Sequence, residues 1–531
     1  FTEPNQEVRI QLISNDPSIN SMWGMQASGF GIKAVSAWDK NLVGSSKVVT
    51  GVVDTGIDYT HQDLYLNVWL NQGELRNLSF FGNLKDVNND GLIGFRDLND
   101  SQNLSNSSTK LIDWNKNGYI DDVNGWSFLG GKNGNINQET LELTRLIRRD
   151  AARFANVTEE NVTAKDRPAF EAYLAMKKEF DKGLAEGKAN LAGYTGLKNG
   201  VEAIAKKLGK ENPTLEDVKN FTPEGQAEST AKNALLRALV NTDYKTFYET
   251  RVKAGYEHFY DQVNYNYNLT FDPRNIVGDE ENNSNERIYG NTDSKGPDPS
   301  HGTHVAGIVG ADRKNTIGIN GVADNVLLMA VRNVPNGDER DKDVANAIRY
   351  AVDNGAKVLN MSFGKAYSQD KKVVDDAVKY AVSKDVLLVH AAGNDNKNLD
   401  VETNFPTNKY EDGTLAENWI TVGASTPYND RRLKASFSNY GKTTVDVFAP
   451  GFGIYSTYPD QKYQDNNGTS MAAPVVAGLA ALIRSYYPKL SAKQVKEIIM
   501  NSVEKADALK DISVTGGVVN AYNALKLAAT Y

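Results

Sequence analysis

The stretch that most constrains this chain is residues 467–474, which read Asn-Gly-Thr-Ser-Met-Ala-Ala-Pro. A run of small apolar residues follows directly, from 475 to 483. Glycine permits a sharp turn before Ser470, and Pro474 is tolerated in the first turn of a helix. The pattern predicts a buried helix with Ser470 at its N-terminus, where free N–H groups favour developing negative charge. An ordinary N-cap serine is the structural alternative.

Three further motifs supply the groups that a serine nucleophile needs. Asp54 ends an apolar strand pattern, Asn394 follows another, and His301 opens a second small-residue run. A serine hydroxyl is a weak nucleophile and requires an adjacent base, for which His301 is the candidate. Asp54 would orient the imidazole, and the Asn394 amide with the Ser470 backbone N–H would stabilise an oxyanion.

Two other histidines are assigned structural roles. His304 lies three residues after His301 and suggests a metal pair. The third ligand and the glutamate base that such a pair needs in a zinc protease are missing. We therefore predict that His304 is a packed or hydrogen-bonded helix residue. We expect His61 to be structural or on the surface.

Together the four motifs resemble those of the subtilisin-like serine proteases (subtilases, peptidase family S8), in the chain order Asp, His, Ser. The resemblance implies a catalytic triad of Asp54, His301 and Ser470, with Asn394 as oxyanion donor. It implies a secreted serine endopeptidase that hydrolyses peptide bonds through an acyl-enzyme. The long insertion between the catalytic Asp and His is similar to that of certain bacterial secreted members.

The resemblance also implies where substrate binds. The strand end Ser362-Phe363-Gly364 would pair with an extended peptide, and such edge pairing supplies affinity while pockets select side chains. Asn404 would lie at the floor of the first pocket. A polar floor favours a small or polar residue before the scissile bond.

Strand and helix patterns alternate after His301. Apolar runs at 326–331, 358–362, 386–391 and 420–424 are predicted strands, with helices such as 343–354 and 373–384 between them. Such alternation predicts parallel strands with right-handed crossovers. The predicted fold is α/β: a subtilisin-like doubly wound, mostly parallel sheet flanked by helices, with an inserted calcium-loop region and an α-helical subdomain.

The insertion between Asp54 and His301 begins with two loops rich in Asp, Asn and Gly. The first has the oxygen spacing of an EF-hand loop with Gly91 at position 6, and its candidate ligands are Asp86, Asn88, Asp90, Leu92 and Asp97. The second repeats the beginning of that pattern, and its candidate ligands are Asp113, Asn115, Asn117, Tyr119 and Asp122. Asx-rich turns without metal are the alternative for both. By resemblance, calcium is also bound by Asp63 with Asn315, Ile317 and Ile319.

The rest of the insertion, residues 138–268, is predicted to be an α-helical subdomain of four to six helices. Apolar residues recur at helical spacing from Leu143 to Phe154 and from Tyr244 to Val263. Between them, residues 170–184 and 191–208 are two helical stretches rich in Ala, Lys, Glu and Leu. Thr214 begins a capped helix, and His258 is expected to be packed. A substrate exosite, a lid over the groove and a partner-docking surface all remain open as roles.

These patterns divide the chain into four segments. Residues 1–75 are the N-terminal arm and first part of the catalytic domain, and 76–137 are the calcium-binding loop insertion. Residues 138–268 are the helical subdomain, and 269–531 complete the catalytic domain.

Composition limits the remaining function classes. The 531 residues contain no cysteine, which excludes disulfides, thiolate metal sites and a cysteine nucleophile. The net charge of −8 argues against a nucleic-acid partner, and no apolar run is long enough to span a membrane. Because the chain begins at Phe1, we expect a secreted or cell-surface monomer whose signal peptide and propeptide have been removed.

Two alternatives use the same residues differently. The chain could be a binding or scaffold protein on a subtilase fold, with the helical subdomain as its interaction surface. It could also act mainly in transpeptidation, which needs the same catalytic residues. The expected partners of the hydrolase are protein or peptide substrates and its own propeptide.

Overall fold

The computed structural model describes residues 16–26, 29–38, 48–77, 85–86, 93–94, 115–313, 315–323 and 326–531. Within them, Gln138–Pro273 form one compact unit, and the described residues on either side of this segment form a second unit. We call them the helical unit and the sheet unit. No helix in the described part of the chain is both long and apolar enough to cross a membrane.

Strands occur in the sheet unit. In chain order they are β1 (Val49–Asp54), β2 (Gly125–Ser127), β3 (Gly130–Gly131), β4 (Gly134–Asn135), β5 (Leu327–Arg332), β6 (Val358–Met361), β7 (Leu387–Ala391), β8 (Trp419–Ser425), β9 (Val447–Pro450), β10 (Ile454–Tyr458), β11 (Lys462–Asn466), β12 (Glu504–Lys505) and β13 (Gly517–Val518). The strands predicted after His301 are confirmed, with ends shifted by one residue or so.

Helices occur in both units. In chain order they are α1 (Ala34–Trp38), α2 (Gln72–Asn77), α3 (Glu142–Phe154), α4 (Arg167–Leu208), α5 (Leu215–Asn220), α6 (Gln226–Ala238), α7 (Tyr244–Phe247), α8 (Ala254–Asp261), α9 (Arg274–Val277), α10 (Ser300–Gly310), α11 (Asp341–Asp353), α12 (Lys371–Ser383), α13 (Thr469–Tyr486), α14 (Ala492–Asn501) and α15 (Ala521–Ala528). The π-helical segments Tyr248–Lys253 and Gln262–Asn266 flank α8.

Nine strands form one sheet in the order β12-β13-β9-β8-β7-β6-β1-β5-β2. Neighbours pair in parallel, except β12 and β13, which are antiparallel. The chain leaves β1 and later returns on both sides of it, as β5 and β6. In open α/β sheets, such a switch point opens a crevice at the carboxyl ends of the strands. Asp54 is the last residue of β1 and therefore lies at this crevice.

Successive strand residues point to opposite faces of the sheet. Because apolar residues lie on both faces, helices cover both. Val52 belongs to the hydrophobic cluster that includes α10 and α13. Its neighbour Val53 belongs to the cluster that includes α11 and α12. The strands β6, β7 and β8 are buried along their whole length, as expected for parallel strands covered on both faces. The predicted doubly wound, mostly parallel α/β fold is thus confirmed.

The helical unit differs from its prediction in one helix and one side chain. The sequence suggested separate helical segments at 170–184 and 191–208, whereas α4 runs through both. Gly187 lies inside α4, where a Cβ would lie 2.9 Å from Gln262 Oε1, so glycine permits the close approach of Gln262. His258 is exposed, not packed, since its face of α8 points to solvent. The predicted cap of Thr214 is present as a capping box with Asp217.

Candidate active site

The Asp54 and His301 side chains meet at the carboxyl end of β1. Asp54 ends β1, and His301 is the second residue of α10. A Cβ at Gly302 would lie 2.1 Å from Gly56 O, so only glycine lets the first turn of α10 approach this closely. The result is a 2.7 Å hydrogen bond between His301 Nδ1 and Asp54 Oδ1. Asp54 Oδ1 also accepts the Thr55 N–H at 2.7 Å.

Two opposing effects set the pKa of the His301 imidazole. Burial disfavours the imidazolium, but the charge and hydrogen bond of Asp54 favour it more strongly, with a smaller contribution from Asp298. The net effect raises the pKa of His301 above its ordinary value of 6.5. The Asp54 carboxylate is 1% exposed and the His301 side chain 33% exposed, so a substrate can reach the imidazole but not the carboxylate.

Ser470 lies at the start of the buried helix that its motif predicted. It is the second residue of α13 and is half-buried. The expected place of Pro474 in the first turn is wrong, because α13 begins at Thr469 and Pro474 therefore lies inside the helix. The Ser470 hydroxyl donates to Ser362 O at 3.1 Å, and the Ser362 hydroxyl donates to Ser470 O at 2.8 Å. In ligand-free enzymes the nucleophile–base bond is often long and tightens only with substrate. In this arrangement the hydroxyl of Ser470 is held by Ser362 O, the first carbonyl of the predicted substrate strand (Ser362–Gly364).

Asn394 is fixed so that its amide N–H groups face outward. Its Oδ1 accepts the Thr469 N–H at 2.8 Å and the Thr469 hydroxyl at 3.1 Å. Because these contacts occupy the amide oxygen, the Nδ2 group is left as a donor on the exposed side. The structure therefore brings Asn394 and Ser470 together through the first turn of α13.

The predicted substrate strand is held by a residue that sequence reasoning missed. Lys365 directly follows Gly364, and its backbone exchanges hydrogen bonds with Phe405 at 3.0 and 2.8 Å. Its ammonium, 1% exposed, pairs with Asp341 at 2.9 Å and donates to Glu339 O at 2.7 Å. A lone lysine after a strand gives no sequence signal of burial, so only the tertiary structure identifies it.

We expect Lys365→Ala to destabilise the sheet unit by about 3–5 kcal/mol, because it leaves Asp341 buried without its counter-charge. Chemical denaturation of the two proteins measures this difference. The matched control is Lys372→Ala, since Lys372 makes a solvent-exposed pair with Asp376 that contributes little to stability. Equal losses in the two variants would contradict the assigned role.

Asn404 lies between the substrate strand and a cavity. A Cβ at Gly364 would lie 2.6 Å from the Asn404 amide, and Asn404 Nδ2 donates to Ala392 O at 3.2 Å. Behind it lies a cavity of about 280 Å³ whose lining includes His390. His390 Nε2 donates to Phe363 O at 2.8 Å, and burial lowers the pKa of His390 to about 4. The substrate strand therefore rests on a neutral histidine.

The loop assigned to Asp63 converges around a buried carboxylate. Asn315 Nδ2 donates to Asp63 Oδ1 at 2.7 Å, and Ile319 N and the Tyr463 hydroxyl donate to Oδ2 at 2.9 and 3.2 Å. The Ile317 N–H is used within the loop, where it donates to Asn315 Oδ1. Burial raises the pKa of Asp63 to about 7, against these hydrogen bonds. Nearby Asp16, which the sequence did not indicate, adds to the shift.

Part of the second predicted calcium loop also converges. Asp122 Oδ2 accepts from Asn117 Nδ2 at 3.0 Å and from the Tyr350 hydroxyl at 2.8 Å. The Asn115 N–H donates to Glu74, which sequence reasoning missed. Burial, with Glu74 nearby, raises the pKa of Asp122 to about 7.

Of the other predicted calcium ligands in the two loops, only Tyr119 and Asp86 lie among the described residues. Tyr119 lies in the second loop, where its N–H donates to Asn117 Oδ1 at 2.8 Å. Asp113 lies outside the described residues, as do Asn88, Asp90, Leu92 and Asp97 of the first loop, whereas Asp86 is described and half-exposed. In the described part of the chain, no three acidic, histidine or cysteine side chains form a metal-binding group.

The two other histidines tether the β10–β11 hairpin. His304 Nε2 donates to Gln464 O at 3.0 Å, and His61 Nε2 donates to Lys462 O at 3.1 Å. Burial lowers the pKa of both, that of His304 to about 4. This agrees with the structural roles expected for them, because each is neutral and uses its N–H to hold the strand that leads to Ser470.

Comparison with known proteins defines the class. The profile of the Subtilase family, Peptidase S8, matches residues 45–519, so the chain belongs to the subtilase family. It is 42% identical over 232 residues to thermitase of Thermoactinomyces vulgaris, which covers 43% of this chain and 75% of that protein. It is 41% identical over 207 residues to subtilisin DY of Bacillus licheniformis, covering 39% of this chain and 69% of that protein.

Two further relatives describe the extent of the likeness. The chain is 42% identical to a thermophilic serine proteinase of Bacillus sp. (strain AK1) over 232 residues, which is 43% of this chain and about half, 52%, of that relative. A solved structure of proteases from Pseudoalteromonas arctica covers 97% of this chain and 99% of its own chain, with a TM-score of 0.50 and 20% identity. At 20% identity, the similarity to this solved structure concerns the fold alone.

Proposed function

We propose that this chain is a serine endopeptidase that uses Ser470 as nucleophile, His301 as general base and acid, and Asp54 to orient the imidazole. The observation that carries the proposal is the 2.7 Å bond from Asp54 to His301 at the switch point of the sheet. Membership of the subtilase family and the nearby Ser470 and Asn394 support it. Its substrates would be proteins or peptides.

The proposed reaction is acyl transfer in two steps. His301 Nε2 takes the Ser470 proton while Oγ attacks the scissile carbonyl carbon, and Asn394 Nδ2 with the Ser470 N–H receives the oxyanion. Collapse breaks the C–N bond, and His301 returns its proton to the leaving amine. Water then attacks the acyl-enzyme by the same route and releases the acid and Ser470. Transpeptidation would differ only in that an amine replaces this water.

The test is covalent labelling with a fluorophosphonate. We expect one adduct on the native chain, located at Ser470 by peptide mass analysis, because only an activated serine displaces fluoride. The Ser470→Ala variant should remain unlabelled while melting at the same temperature. Labelling of Ser470→Ala, or no adduct on well-folded native protein, would contradict the proposal.

The substrate strand supports a site for an extended peptide. Ser362, Phe363 and Gly364 end beside Ser470, and Asn404 closes the far side of the same region. We infer that backbone pairing with the strand sets affinity and that Asn404 favours a small or polar residue before the scissile bond. Profiling with a peptide library measures this preference.

We further propose that calcium stabilises the sheet unit. Asp63 and Asp122 are buried carboxylates without an ion-pair partner among the described residues, and both are surrounded by oxygen-bearing side chains and turns. Such hard oxygen donors fit Ca²⁺. Asp63 with Asn315 would hold one ion, and Asp122 with Asn115 and Asn117 would hold another. Bound calcium would supply the missing counter-charge.

Chelation with EGTA is therefore expected to lower the melting temperature. Calcium at a hundred times its dissociation constant would stabilise the native state by about 2.7 kcal/mol. Asp63→Asn should lose part of this response. Magnesium is the control, because it demands a smaller octahedral site and should not restore the melting temperature. An unchanged melting temperature in EGTA would contradict calcium binding.

The family context also supports a location outside the cell. The relatives named above include subtilisin DY and thermitase, and we propose that this chain is likewise secreted and is made with a propeptide. Expression of the full gene with detection of the protein in the medium and in the cell tests the proposal.

A further inference from the structure

A hydrogen-bond relay connects a buried asparagine of the sheet to the main chain of Ser470. Asn360, in β6 and fully buried, donates through Nδ2 to Ser362 Oγ at 2.9 Å. Ser362 Oγ donates in turn to Ser470 O at 2.8 Å. The Ser470 hydroxyl closes the ring by donating to Ser362 O at 3.1 Å. The Asn360 amide and the Ser362 hydroxyl take no part in the proton transfers described above.

The number of protons on the Ser362 hydroxyl fixes which group donates in each hydrogen bond of the relay. A serine hydroxyl has one proton, and that of Ser362 is given to Ser470 O. Ser362 Oγ can then only accept from Asn360, so the Asn360 amide must present Nδ2 to it. Asn360 Oδ1 is buried and has no hydrogen-bond partner in the described part of the protein, so this single contact orients the side chain.

Pro474 explains why the Ser470 carbonyl is available. In an α-helix the carbonyl of residue i accepts the N–H of residue i+4. Four residues after Ser470 in α13 stands Pro474, which has no N–H and whose ring crowds the carbonyl of residue i−4. The usual i+4 hydrogen bond to Ser470 O is therefore absent from α13. The Ser362 hydroxyl supplies the donor that Pro474 removes.

The sheet register places this relay beside the catalytic aspartate. Asn360 pairs with Val52 and Met361 with Val53, in parallel strands. Asp54 is the last residue of β1, and Ser362 directly follows Met361, the last residue of β6, so both lie at the carboxyl ends of neighbouring strands. The relay therefore ties the first turn of α13 to the sheet edge that also carries Asp54.

We propose that Asn360 and Ser362 are positioning residues that hold the Ser470 backbone, and with it the oxyanion N–H, at a fixed distance from β1 and β6. This inference rests on the proposed function of Ser470. Without the Ser362 hydroxyl, Ser470 O loses the donor that replaces the missing i+4 N–H. The first turn of α13 then moves relative to Asp54 and His301, and attack slows while substrate pairing with the strand backbone is retained.

The test compares fluorophosphonate labelling rate and peptide hydrolysis in Ser362→Ala, Asn360→Asp and the native chain. We expect complete labelling of Ser470 in both variants, with a labelling rate and kcat about tenfold lower, which corresponds to about 1.4 kcal/mol. KM should stay unchanged, and Ser362→Thr, which restores a hydroxyl, should recover the rate. The matched control is Ser425→Ala, since Ser425 ends β8 with a buried hydroxyl that lacks a partner among the described residues.

A double-mutant cycle separates positioning from general stability. Pro474→Ala supplies a helical N–H for Ser470 O, so in that background Ser362→Ala should cost much less than tenfold. Additive losses, or variants that label at the native rate, would overturn the relay. A native chain that does not label at Ser470 would instead contradict the proposed function. Melting temperatures of all variants show whether a slow rate reflects unfolding.

Discussion

Asp54→Asn is expected to lower kcat by about 10⁴-fold, the loss seen when the triad aspartate of a serine protease of different fold is replaced by asparagine. The physical reason is the 2.7 Å bond from Asp54 Oδ1 to His301 Nδ1. An asparagine amide can present an N–H to Nδ1 and so favour the tautomer that carries its proton on Nε2. That tautomer cannot accept the Ser470 proton. Steady-state hydrolysis of a chromogenic peptide measures the loss.

The dependence of kcat/KM on pH is a second measurement that tests the Asp54→Asn variant. Only neutral His301 accepts a proton, so activity is lost as pH falls through the pKa of His301. Because Asp54 raises this pKa above 6.5, the acid limb of kcat/KM in the native enzyme should lie above that value. Removal of the carboxylate charge should move the limb of the residual activity to lower pH.

Asp58→Asn is the control for Asp54→Asn. Asp58 is equally buried, but it pairs with Lys295 at 2.9 Å and does not contact His301. We expect a lower melting temperature for Asp58→Asn and a kcat close to native. A native-like kcat and an unmoved acid limb in Asp54→Asn would refute the assignment of Asp54 to the triad.

Asn394→Leu is expected to lower kcat by about 10²–10³-fold with little change in KM, the size of effect known for the corresponding donor in subtilisin. Asn394 Nδ2 is the outward-facing donor because Oδ1 is held by Thr469. A leucine has similar volume but donates nothing to the oxyanion. The negative charge on the oxyanion forms only after attack. Loss of the Asn394 donor therefore destabilises the transition state and does not weaken substrate binding.

The Asn394→Asp variant distinguishes two roles of Asn394: donating a hydrogen bond to the oxyanion, and holding the first turn of α13 through Thr469. Aspartate keeps an oxygen that can accept the Thr469 N–H, but it places a carboxylate where the oxyanion forms. If Asn394 donates to the oxyanion, this variant should be at least as slow as Asn394→Leu. Retained activity in Asn394→Asp would show that the residue only anchors the first turn of α13. Melting temperatures identify any loss of that anchor.

Much of the site could be predicted from sequence because its motifs are local. Asp54 and Asn394 follow apolar strand patterns, and His301 and Ser470 open runs of small residues that form helices. The carboxyl ends of parallel strands meet at one edge of the sheet. The order of these motifs was enough to identify the family, and the alternating pattern was enough to predict the sheet. Helix continuity was harder to predict, because Gly187 is a weak helix former and a local pattern does not show whether α4 continues through it.

By itself, the sequence determined the fold class and the residue types of the site, since both depend on periodicity and on neighbours along the chain. Only the tertiary structure decided which groups support that site. Lys365, Ser362 and Asp16 act through partners that the fold brings close. Ser362 and Ser470 are 108 positions apart in the chain, and Asp16 and Asn320 are 304 positions apart. A buried polar side chain has no local signature, because its stability depends on a partner that the fold supplies.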